Sequence, residues 1–284
     1  MTQIAQTEIG RKFLELHRGP DILFLPNAWD VASARIFEDA GFSAIGTSSA
    51  GVAFSLGYPD GQKISRKEVL DVVRRMAGAV DVPVTADVEA GFGTTPEEVA
   101  DTAREVIAAG AVGMNLEDGV EGRPDLLADV NRQKEIIRAI LEVSANAGVP
   151  FALNARTDIF LYGIGPAETR LARSIERLNA YREAGAASLF APGVKDKETI
   201  AQLARGIAGP LNILAVAGTP PVAELQQLGV ARVSVGSGPM RATLGFLGRM
   251  ARQFRDEGDF TIMTEGALPY TDANRLFVSK RNRP

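Results

Sequence analysis

The chain has 284 residues, 45% of them hydrophobic and 23% charged, and its formal net charge is −4. An acidic chain without a basic stripe is not expected to bind nucleic acid. It contains no cysteine, which excludes thiol nucleophiles and thiolate metal ligands. The first residues show no signal-peptide pattern, and no apolar run reaches the roughly 20 residues of a membrane span. We therefore expect a cytoplasmic protein that does not cross a membrane.

In chain order, a leading helix is predicted at about residues 5–18, and short apolar runs then alternate with longer segments of helical periodicity. The apolar runs, predicted as buried strands, are Phe24–Ala28, Ala44–Ser49, Pro83–Glu89, Val112–Asp118, Phe151–Thr157, Ser188–Pro192, Leu211–Val216 and Arg232–Gly236. The predicted helices between them include Arg66–Ala79, Pro96–Ala109, Leu127–Ala147, Pro166–Ala184 and Lys197–Gly206. Nearly continuous hydrophobic runs separated by helical segments are typical of a parallel sheet covered by helices.

A glycine stands between several of the predicted helices and the next strand, where a left-handed cap commonly ends a helix. These glycines are Gly41, Gly110, Gly148, Gly185 and Gly229. About eight strand–helix units in roughly 250 residues predict a (β/α)₈ barrel. The rival, a doubly wound sheet, normally has a glycine-rich phosphate turn after its first strand, and Phe24–Asp30 has none.

We therefore predict one α/β domain with the TIM-barrel fold over residues 1–284. Its parts are an N-terminal helix at 1–20, a barrel core at 21–240 and a C-terminal helical tail at 241–284. No linker or low-complexity stretch divides these parts.

In barrel enzymes the reacting groups lie at the C-terminal ends of the strands. The polar residues expected there are mostly acidic: Asp30, Ser48, Ser49, Asp60, Asp87, Glu89, Glu117, Asp118, Asn154, Arg156, Asp158 and Asn212. The only histidine, His17, precedes the first strand, so we expect a surface helix residue rather than an acid–base catalyst. No lysine falls inside a predicted strand, which argues against a Schiff base. Clustered carboxylates without histidine or thiol favour a hard cation, Mg²⁺ or alternatively Mn²⁺.

The segment Thr85–Gly93 is the most informative one in the chain. Asp87 and Glu89 are two residues apart on a predicted strand, so their side chains are expected on one face. Two carboxylates that close repel each other unless a proton or a cation lies between them. Gly91 and Gly93 would let the backbone approach a ligand closely. The alternative is a solvated strand end whose acids cap the following helix.

Three further residues are candidates for the same site. Glu117 ends the neighbouring strand and could reach the metal, directly or through water. Arg156 suits a bidentate grip on a substrate carboxylate or phosphonate, or a structural salt bridge to one of the acids. Asn212 could bind the same anion or fill a layer of the barrel interior.

Five motifs, spread over roughly residues 20–240, resemble those of the isocitrate lyase/phosphoenolpyruvate mutase superfamily in order and spacing. They are Gly46-Thr47-Ser48-Ser49, Gly57-Tyr58-Pro59-Asp60-Gly61, Asp87-Val88-Glu89-Ala90-Gly91-Phe92-Gly93, Leu116-Glu117-Asp118 and Asn154-Ala155-Arg156-Thr157-Asp158. The resemblance implies an α/β barrel that assembles as a dimer of dimers and exchanges its C-terminal helices between subunits.

The resemblance also implies a site. Mg²⁺ would be held mainly by Asp87, with Asp60, Glu89 and Glu117 joining through water. One turn would hold the substrate carboxylate through backbone N–H groups and the Ser48 hydroxyl; it comprises Gly46, Thr47, Ser48 and Ser49. Arg156 would lie at the anionic or enolate end of the substrate, and Asn212 would make a further contact. The implied catalytic residues are Asp60, Glu117 and Arg156.

Two specificity loops of the superfamily are missing from this chain. The lyases that cleave isocitrate or methylisocitrate carry a Lys-x-Cys-Gly-His-type loop after the fourth strand, and the members that handle phosphonopyruvate carry a Lys-Thr-Asn-type loop there. The segment Gly119–Leu126 matches neither loop. A histidine that the mutases carry after the sixth strand is replaced around Phe190-Ala191-Pro192.

The reactions of the superfamily share the stabilisation of an enolate of pyruvate or a similar 2-oxo acid, which a chelated metal provides as a Lewis acid. Decarboxylation of a 2-oxo dicarboxylate requires little more than this stabilisation of the enolate by the metal. We predict a Mg²⁺-dependent C–C lyase or decarboxylase for a small 2-oxo or 2-hydroxy dicarboxylate such as oxaloacetate. Two alternatives are P–C chemistry, as a phosphoenolpyruvate mutase or phosphonopyruvate hydrolase with Asp60 as nucleophile, and a 2-oxo-acid-binding protein with little catalysis.

Overall fold

A closed parallel barrel forms the centre of the computed structural model, which describes residues 3–120 and 122–278. The strands are β1 (Leu23–Leu25), β2 (Asn27–Ala28), β3 (Ile45–Thr47), β4 (Val84–Asp87), β5 (Gly113–Glu117), β6 (Gly119–Val120), β7 (Arg123–Leu127), β8 (Ala152–Arg156), β9 (Ser188–Phe190), β10 (Leu211–Leu214) and β11 (Arg232–Ser234). The main sheet has nine strands in the order β1-β11-β10-β9-β8-β5-β4-β3-β2, and β6 pairs with β7 separately.

Pro26 explains why the nine strands of the main sheet occupy only eight strand positions of the barrel. It lies between β1 and β2, and a proline has no N–H to donate to a sheet. On its two sides, β1 pairs with β11 and β2 pairs with β3, both in parallel. The two short strands are therefore one barrel position, and the predicted (β/α)₈ fold is confirmed.

The helices of the described residues surround this barrel. They are α1 (Gln3–Leu16), α2 (Val31–Asp39), α3 (Ser49–Ser55), α4 (Arg66–Ala79), α5 (Pro96–Ala108), α6 (Val130–Ala147), α7 (Ala167–Glu183), α8 (Lys197–Gly206), α9 (Val222–Gln227), α10 (Gly238–Glu257), α11 (Thr261–Thr264) and α12 (Tyr270–Phe277). Their starts follow the capping signals of the sequence: Ser65 and Glu68 form a capping box on α4, and Thr95 and Glu98 form one on α5.

The predicted glycine caps are confirmed, because all five glycines between helix and strand have a positive φ, from 65° at Gly148 to 112° at Gly185. One helix starts later than predicted. We expected it from Leu127, but Asp129 caps α6 by accepting hydrogen bonds from the N–H groups of Asn131 and Arg132. The residues before Asp129 instead form β7 and pair back onto β6.

Helix α1 covers the N-terminal end of the barrel. Phe13 is fully buried there and packs against the start of β5. A Cβ atom on Gly113 would lie 2.9 Å from Cε1 of Phe13, so a glycine is needed at this contact.

The prediction that His17 is a surface residue is wrong. His17 is 4% exposed, and its Nδ1 lies 2.8 Å from the carbonyl oxygen of Phe13. Because that oxygen only accepts, Nδ1 carries the proton and Nε2 presents its lone pair to Nη1 of the buried Arg232, at 3.3 Å. The histidine was misjudged because its packing partner, Arg232, is more than 200 residues away in the sequence.

The C-terminal segment makes few contacts within the chain. Met240 is the buried residue of α10, whereas Leu244 and Leu247 are 44% and 55% exposed. Within residues 3–120 and 122–278, no helix is long and apolar enough to cross a membrane.

Candidate active site

A cavity of about 150 Å³ opens at the C-terminal ends of the barrel strands. Its polar wall includes Asp60, Glu89, Glu117 and Arg156, which the sequence predicted as site residues. The β6–β7 hairpin forms the opposite wall. The structure therefore brings together side chains from four separate chain segments in one small space.

Asp87, at the end of β4, is held next to this space by the turn after β3. Its Oδ2 accepts hydrogen bonds from the Ser49 N–H at 3.0 Å and the Ser49 hydroxyl at 2.8 Å. Its own N–H donates to Oγ1 of Thr47 at 2.7 Å. Nδ2 of Asn115 lies 3.4 Å from Oδ1. These contacts fix the direction of one carboxylate before any ligand binds.

The Gly46–Ser49 turn differs from what the resemblance implied. The N–H of Gly46 donates to Pro26 and that of Ser48 donates to Ala28, both within the sheet. The Ser48 hydroxyl accepts from the first turn of α3 and so caps that helix. Of the four residues, Ser49 lines the cavity. The predicted grip on a substrate carboxylate would therefore need these bonds to be exchanged, because a strand and a helix cap already use the donors.

Glu89 reaches the cavity by a different geometry from the predicted one. Strand β4 ends at Asp87, so the expectation that Asp87 and Glu89 share a strand face is wrong. Glu89 has a φ of 53°, which turns its side chain toward the loop that contains Asp60. Its Oε1 accepts a hydrogen bond from the Gln62 N–H at 3.0 Å, and Oε1 of Gln62 accepts from the Phe92 N–H at 3.0 Å. Two loops are thus tied together beside the cavity.

Burial raises the pKa values of the acidic groups at the site, and their mutual repulsion adds to this effect. Burial and the charge of Asp87 raise the pKa of Glu89 to about 7. Burial raises the pKa of Glu117 to about 8, and the charges of Asp158, Asp87 and Glu89 add to this effect. Desolvation at the cavity mouth and the charge of Asp87 also raise the pKa of Asp60. A cation between these groups would offset the part of these shifts that comes from the mutual repulsion of the acids.

Arg156 is the cation at the centre of the cluster. Its Nη1 lies 2.7 Å from Oε2 of Glu117, and its Nε lies 2.6 Å from Oδ1 of Asp158. Burial alone would lower the pKa of Arg156, but the charges of Glu117 and Asp158 outweigh this effect and raise it. The guanidinium therefore stays charged, and its remaining N–H groups can still donate to an anion.

The donor set fits a hard divalent cation bound largely through water. All the candidate ligands are carboxylates, which Mg²⁺ prefers. Among the described residues, no three acidic or histidine side chains lie close enough to ligate one ion directly. Mg²⁺ typically keeps several water ligands and binds through one or two carboxylates. The arrangement of the acidic side chains around the cavity permits this mode of binding.

Two of the polar strand-end residues belong elsewhere. Asn212 is fully buried in the barrel, where its Nδ2 lies 3.3 Å from Oγ of Ser234, and it does not line the cavity. This position agrees with the alternative that it fills a barrel layer. Asp30 caps α2 by accepting from the Ser33 N–H at 2.7 Å.

The sequence predicted Asp118 as a polar strand-end residue but missed its partners on α7, Arg177 and Tyr181. We name these three residues the α7 clamp. Oδ2 of Asp118 accepts from the Tyr181 hydroxyl at 2.7 Å and from Nε of Arg177 at 2.9 Å. Oδ1 accepts from the Asp158 N–H at 3.0 Å. The Asp118 carbonyl accepts from the Ala128 N–H at 2.8 Å, and Arg177 donates to the Ala128 carbonyl.

The clamp therefore fixes both ends of the β6–β7 hairpin. The i, i+4 spacing of Arg177 and Tyr181 on a predicted helix was a usable signal for a shared face. Their acidic partner could not be identified without the fold, because Asp118 is about 60 residues away in sequence.

A parallel (β/α)₈ barrel with carboxylates and an arginine at the C-terminal ends of its strands has the architecture of a barrel enzyme. The family model described as phosphoenolpyruvate phosphomutase matches residues 13–255. The chain belongs to this family, within the phosphoenolpyruvate mutase/isocitrate lyase superfamily, as its motifs predicted, and it is an enzyme of that superfamily.

Relatives of known sequence agree with this assignment. The chain is 34% identical to an uncharacterized protein of Mycobacterium tuberculosis H37Rv, over 95% of this chain and 98% of that protein. It is 32% identical to 2-methylisocitrate lyase of Bacillus subtilis, over 74% of this chain and 68% of that protein. It is 29% identical to oxaloacetate decarboxylase 2 of Pseudomonas putida, over 83% of this chain and 76% of that protein.

Solved structures share the fold. A lyase/mutase-type protein of Burkholderia cenocepacia J2315 is 40% identical and superposes with a TM-score of 0.90, covering 97% of this chain and 98% of that one. Phosphonopyruvate hydrolase, solved with oxalate and Mg²⁺, superposes with a TM-score of 0.83 over 94% of each chain. At 22% identity, this second likeness shows the fold alone.

Proposed function

We propose that this protein is a Mg²⁺-dependent lyase that cleaves a C–C bond of a small 2-oxo or 2-hydroxy dicarboxylate, with oxaloacetate decarboxylation as its simplest form. The observation that carries the proposal is the crowding of Asp60, Asp87, Glu89 and Glu117 around Arg156 at a cavity of about 150 Å³. An acidic site of this kind binds an anionic substrate only when a cation and an arginine offset its charge.

Asp87 is the first candidate to hold Mg²⁺, because Ser49 and Thr47 fix its orientation. Glu89, Asp60 and Glu117 would contact the ion through water. When bound, the ion supplies Lewis-acid stabilisation of a developing enolate. Phosphonopyruvate hydrolase, which shares the fold, has been solved with oxalate and Mg²⁺, so a barrel of this fold can accommodate the ion.

The chain's own groups orient the substrate and exclude water. Arg156, held by Glu117 and Asp158, presents its remaining N–H groups to the substrate carboxylate. Ser49 lines the same cavity, and its hydroxyl donates to Oδ2 of Asp87, so Ser49 orients that carboxylate. Val120 and Leu126 of the hairpin add apolar surface that limits the access of water.

C–C cleavage of an oxaloacetate-like substrate is favoured over isocitrate-type cleavage because the chain has no cysteine to act as acid–base. The relatives are named both as 2-methylisocitrate lyases and as oxaloacetate decarboxylases. Decarboxylation agrees better with a site in which carboxylates, one arginine and hydroxyls are the reacting groups.

P–C chemistry is the second candidate, and the position of Asp60 favours it. Asp60 lines the cavity and accepts a hydrogen bond from the Gly61 N–H at 3.0 Å, as a nucleophile held by its own loop would. The experiment that separates the candidates supplies oxaloacetate and phosphonopyruvate in parallel with Mg²⁺ and measures pyruvate, phosphate and phosphoenolpyruvate. Pyruvate from oxaloacetate alone supports the lyase. From phosphonopyruvate, pyruvate with phosphate supports a hydrolase and phosphoenolpyruvate supports a mutase, and either result favours P–C chemistry. Binding without turnover of either supports a 2-oxo-acid-binding protein.

We also propose that the protein assembles as a dimer of dimers through its C-terminal helices. Helix α10 exposes Leu244 and Leu247, and the following segment exposes Phe260, Leu268 and Tyr270. An apolar surface of this kind on a helical tail is typical of a subunit interface. The cytoplasmic location likewise stays a prediction.

A further inference from the structure

A second, larger cavity adjoins the candidate active site. Its volume is about 810 Å³, against about 150 Å³ for the first. The two cavities share Gln62, Ala90, Glu117, Gly119 and Val120 as wall residues. A molecule bound in the first cavity can therefore extend into the second one along the hairpin.

The charged groups around the second cavity are already bonded within the protein. Oε2 of Glu98 accepts from the N–H groups of Thr94 and Thr95 at the start of α5. Asp129 caps α6, and Nη2 of Arg132 donates to the Thr94 carbonyl.

The two amide side chains are bonded as well. Gln133 donates through Nε2 to the carbonyl of Glu117 at 3.1 Å. Gln62 accepts from the Phe92 N–H through Oε1. These bonds engage part of the polar capacity of the wall, so a polar group of a ligand would compete with them at several positions.

The rest of the wall of the second cavity is apolar, and the charged residues around it are mostly acidic. Ala90, Phe92, Val120, Ala128 and Ile136 line the cavity. Of the charged lining residues, Glu98 and Asp129 are acids and Arg132 is a cation, while Glu117 is paired with Arg156. A second carboxylate would meet this excess negative charge, whereas an uncharged alkyl chain would bury apolar area against the wall.

We propose that the second cavity binds an uncharged alkyl chain carried by the 2-oxo or 2-hydroxy acid whose carboxylate end lies in the first cavity. The inference rests on the proposed function, since it takes the first cavity as the site of the acid. It narrows the substrate class to acids with an apolar substituent beyond the reacting carbons.

A series of linear 2-oxo acids tests the inference. Calorimetry with Mg²⁺ present would compare pyruvate, 2-oxobutanoate, 2-oxopentanoate and 2-oxohexanoate. Each methylene that enters the second cavity should tighten binding by roughly fourfold. Affinity that stays flat or falls with chain length would overturn the inference.

A parallel turnover assay on oxaloacetate separates this inference from the proposed function. If oxaloacetate is turned over but affinity does not rise with chain length, the inference about the second cavity is wrong and the proposed lyase function is retained. If affinity rises with chain length but oxaloacetate is not turned over, the proposed lyase function is wrong and the inference about the second cavity is supported. If none of the acids binds and oxaloacetate is not turned over, both the second-cavity inference and the proposed lyase function are overturned.

A cavity-filling variant locates the effect. Ala128→Leu adds volume to the wall of the second cavity, and the ratio of the 2-oxohexanoate affinity to the pyruvate affinity should then fall to near one. Ala201→Leu, on α8 and outside both cavities, is the matched control and should keep the wild-type ratio. Thermal unfolding of both variants confirms that each is folded, and an unchanged ratio in a folded Ala128→Leu would contradict the assignment.

Discussion

At the scale of single residues, the buried pair His17 and Arg232 shows how strongly position sets protonation. Burial, together with the charge of Arg232, lowers the pKa of His17 from 6.5 to about 3. At a pH between 3 and 6.5, His17 therefore binds a proton in the unfolded chain but not in the folded protein. The stability that the neutral imidazole provides is therefore fully present above pH 6.5 and is lost progressively as the pH falls from 6.5 toward 3.

Replacing His17 with Gln should reduce this dependence on pH. The amide oxygen of Gln can accept from Arg232 but does not titrate. Between pH 7.5 and pH 5, the loss in free energy of unfolding should be smaller in the variant than in the wild type, by on the order of 2 kcal/mol. Urea unfolding at the two pH values measures the free energy of unfolding of each protein. Equal losses of free energy in the variant and the wild type would count against a buried neutral histidine.

Asp87→Ala tests the metal assignment without relying on turnover. Removing the best-oriented carboxylate should weaken Mn²⁺ binding by roughly tenfold or more. The fold should persist, because the change also relieves repulsion on Glu89. Calorimetric titration with Mn²⁺ measures the affinity, and Asp71→Ala, on the exposed surface of α4, is the control. Wild-type affinity in Asp87→Ala would remove Asp87 from the site.

At the scale of elements, the sequence located each barrel strand but overestimated the length of all of them except the first. The apolar run Pro83–Glu89 became a strand that ends at Asp87, because the chain turns at Glu89 with a left-handed φ. The hairpin of β6 and β7 was not predicted, since its short strands carry no alternating apolar pattern. Its fixed position depends on the α7 clamp, a long-range contact that no local pattern encodes.

Tyr181→Phe should loosen the hairpin. The change removes the hydrogen bond from the Tyr181 hydroxyl to Asp118, at a cost of about 1–3 kcal/mol. The amides of Ala128 and Asp158, which donate to Asp118, should exchange faster with deuterium than in the wild type. Exchange mass spectrometry of the segments around these residues measures the effect.

A matched control keeps this prediction specific. Tyr270→Phe changes a tyrosine that is 83% exposed on α12, and it should leave the exchange of both amides unchanged. Wild-type exchange rates in Tyr181→Phe would mean that the clamp does not hold the hairpin.

At the scale of the whole molecule, the barrel and the acidic residues at its mouth followed from the sequence because both depend on repeated local patterns. The division into 1–20, 21–240 and 241–284 stays a proposal, as do the roles of the site residues. Side-chain partners such as Arg177 with Asp118, or His17 with Arg232, could not be predicted, because strand register and helix docking decide them.

Truncation after Pro239 tests the proposed assembly. Removing the tail deletes the exposed apolar face that includes Leu244 and Leu247. The truncated protein should contain fewer subunits than the full chain, as measured by light scattering after size exclusion. Leu247→Glu in the full chain should have the same effect, since it places a charge in the same interface. An unchanged number of subunits in both would argue against helix exchange.

Release of pyruvate from oxaloacetate by the purified protein is the most direct measurement, made with Mg²⁺ and again after EDTA. The account predicts pyruvate formation above the rate of a protein-free blank with the same metal, which EDTA abolishes and added Mg²⁺ or Mn²⁺ restores. An excess over the blank that persists in EDTA would contradict the metal-dependent mechanism, and no excess under any condition would contradict the proposed decarboxylation.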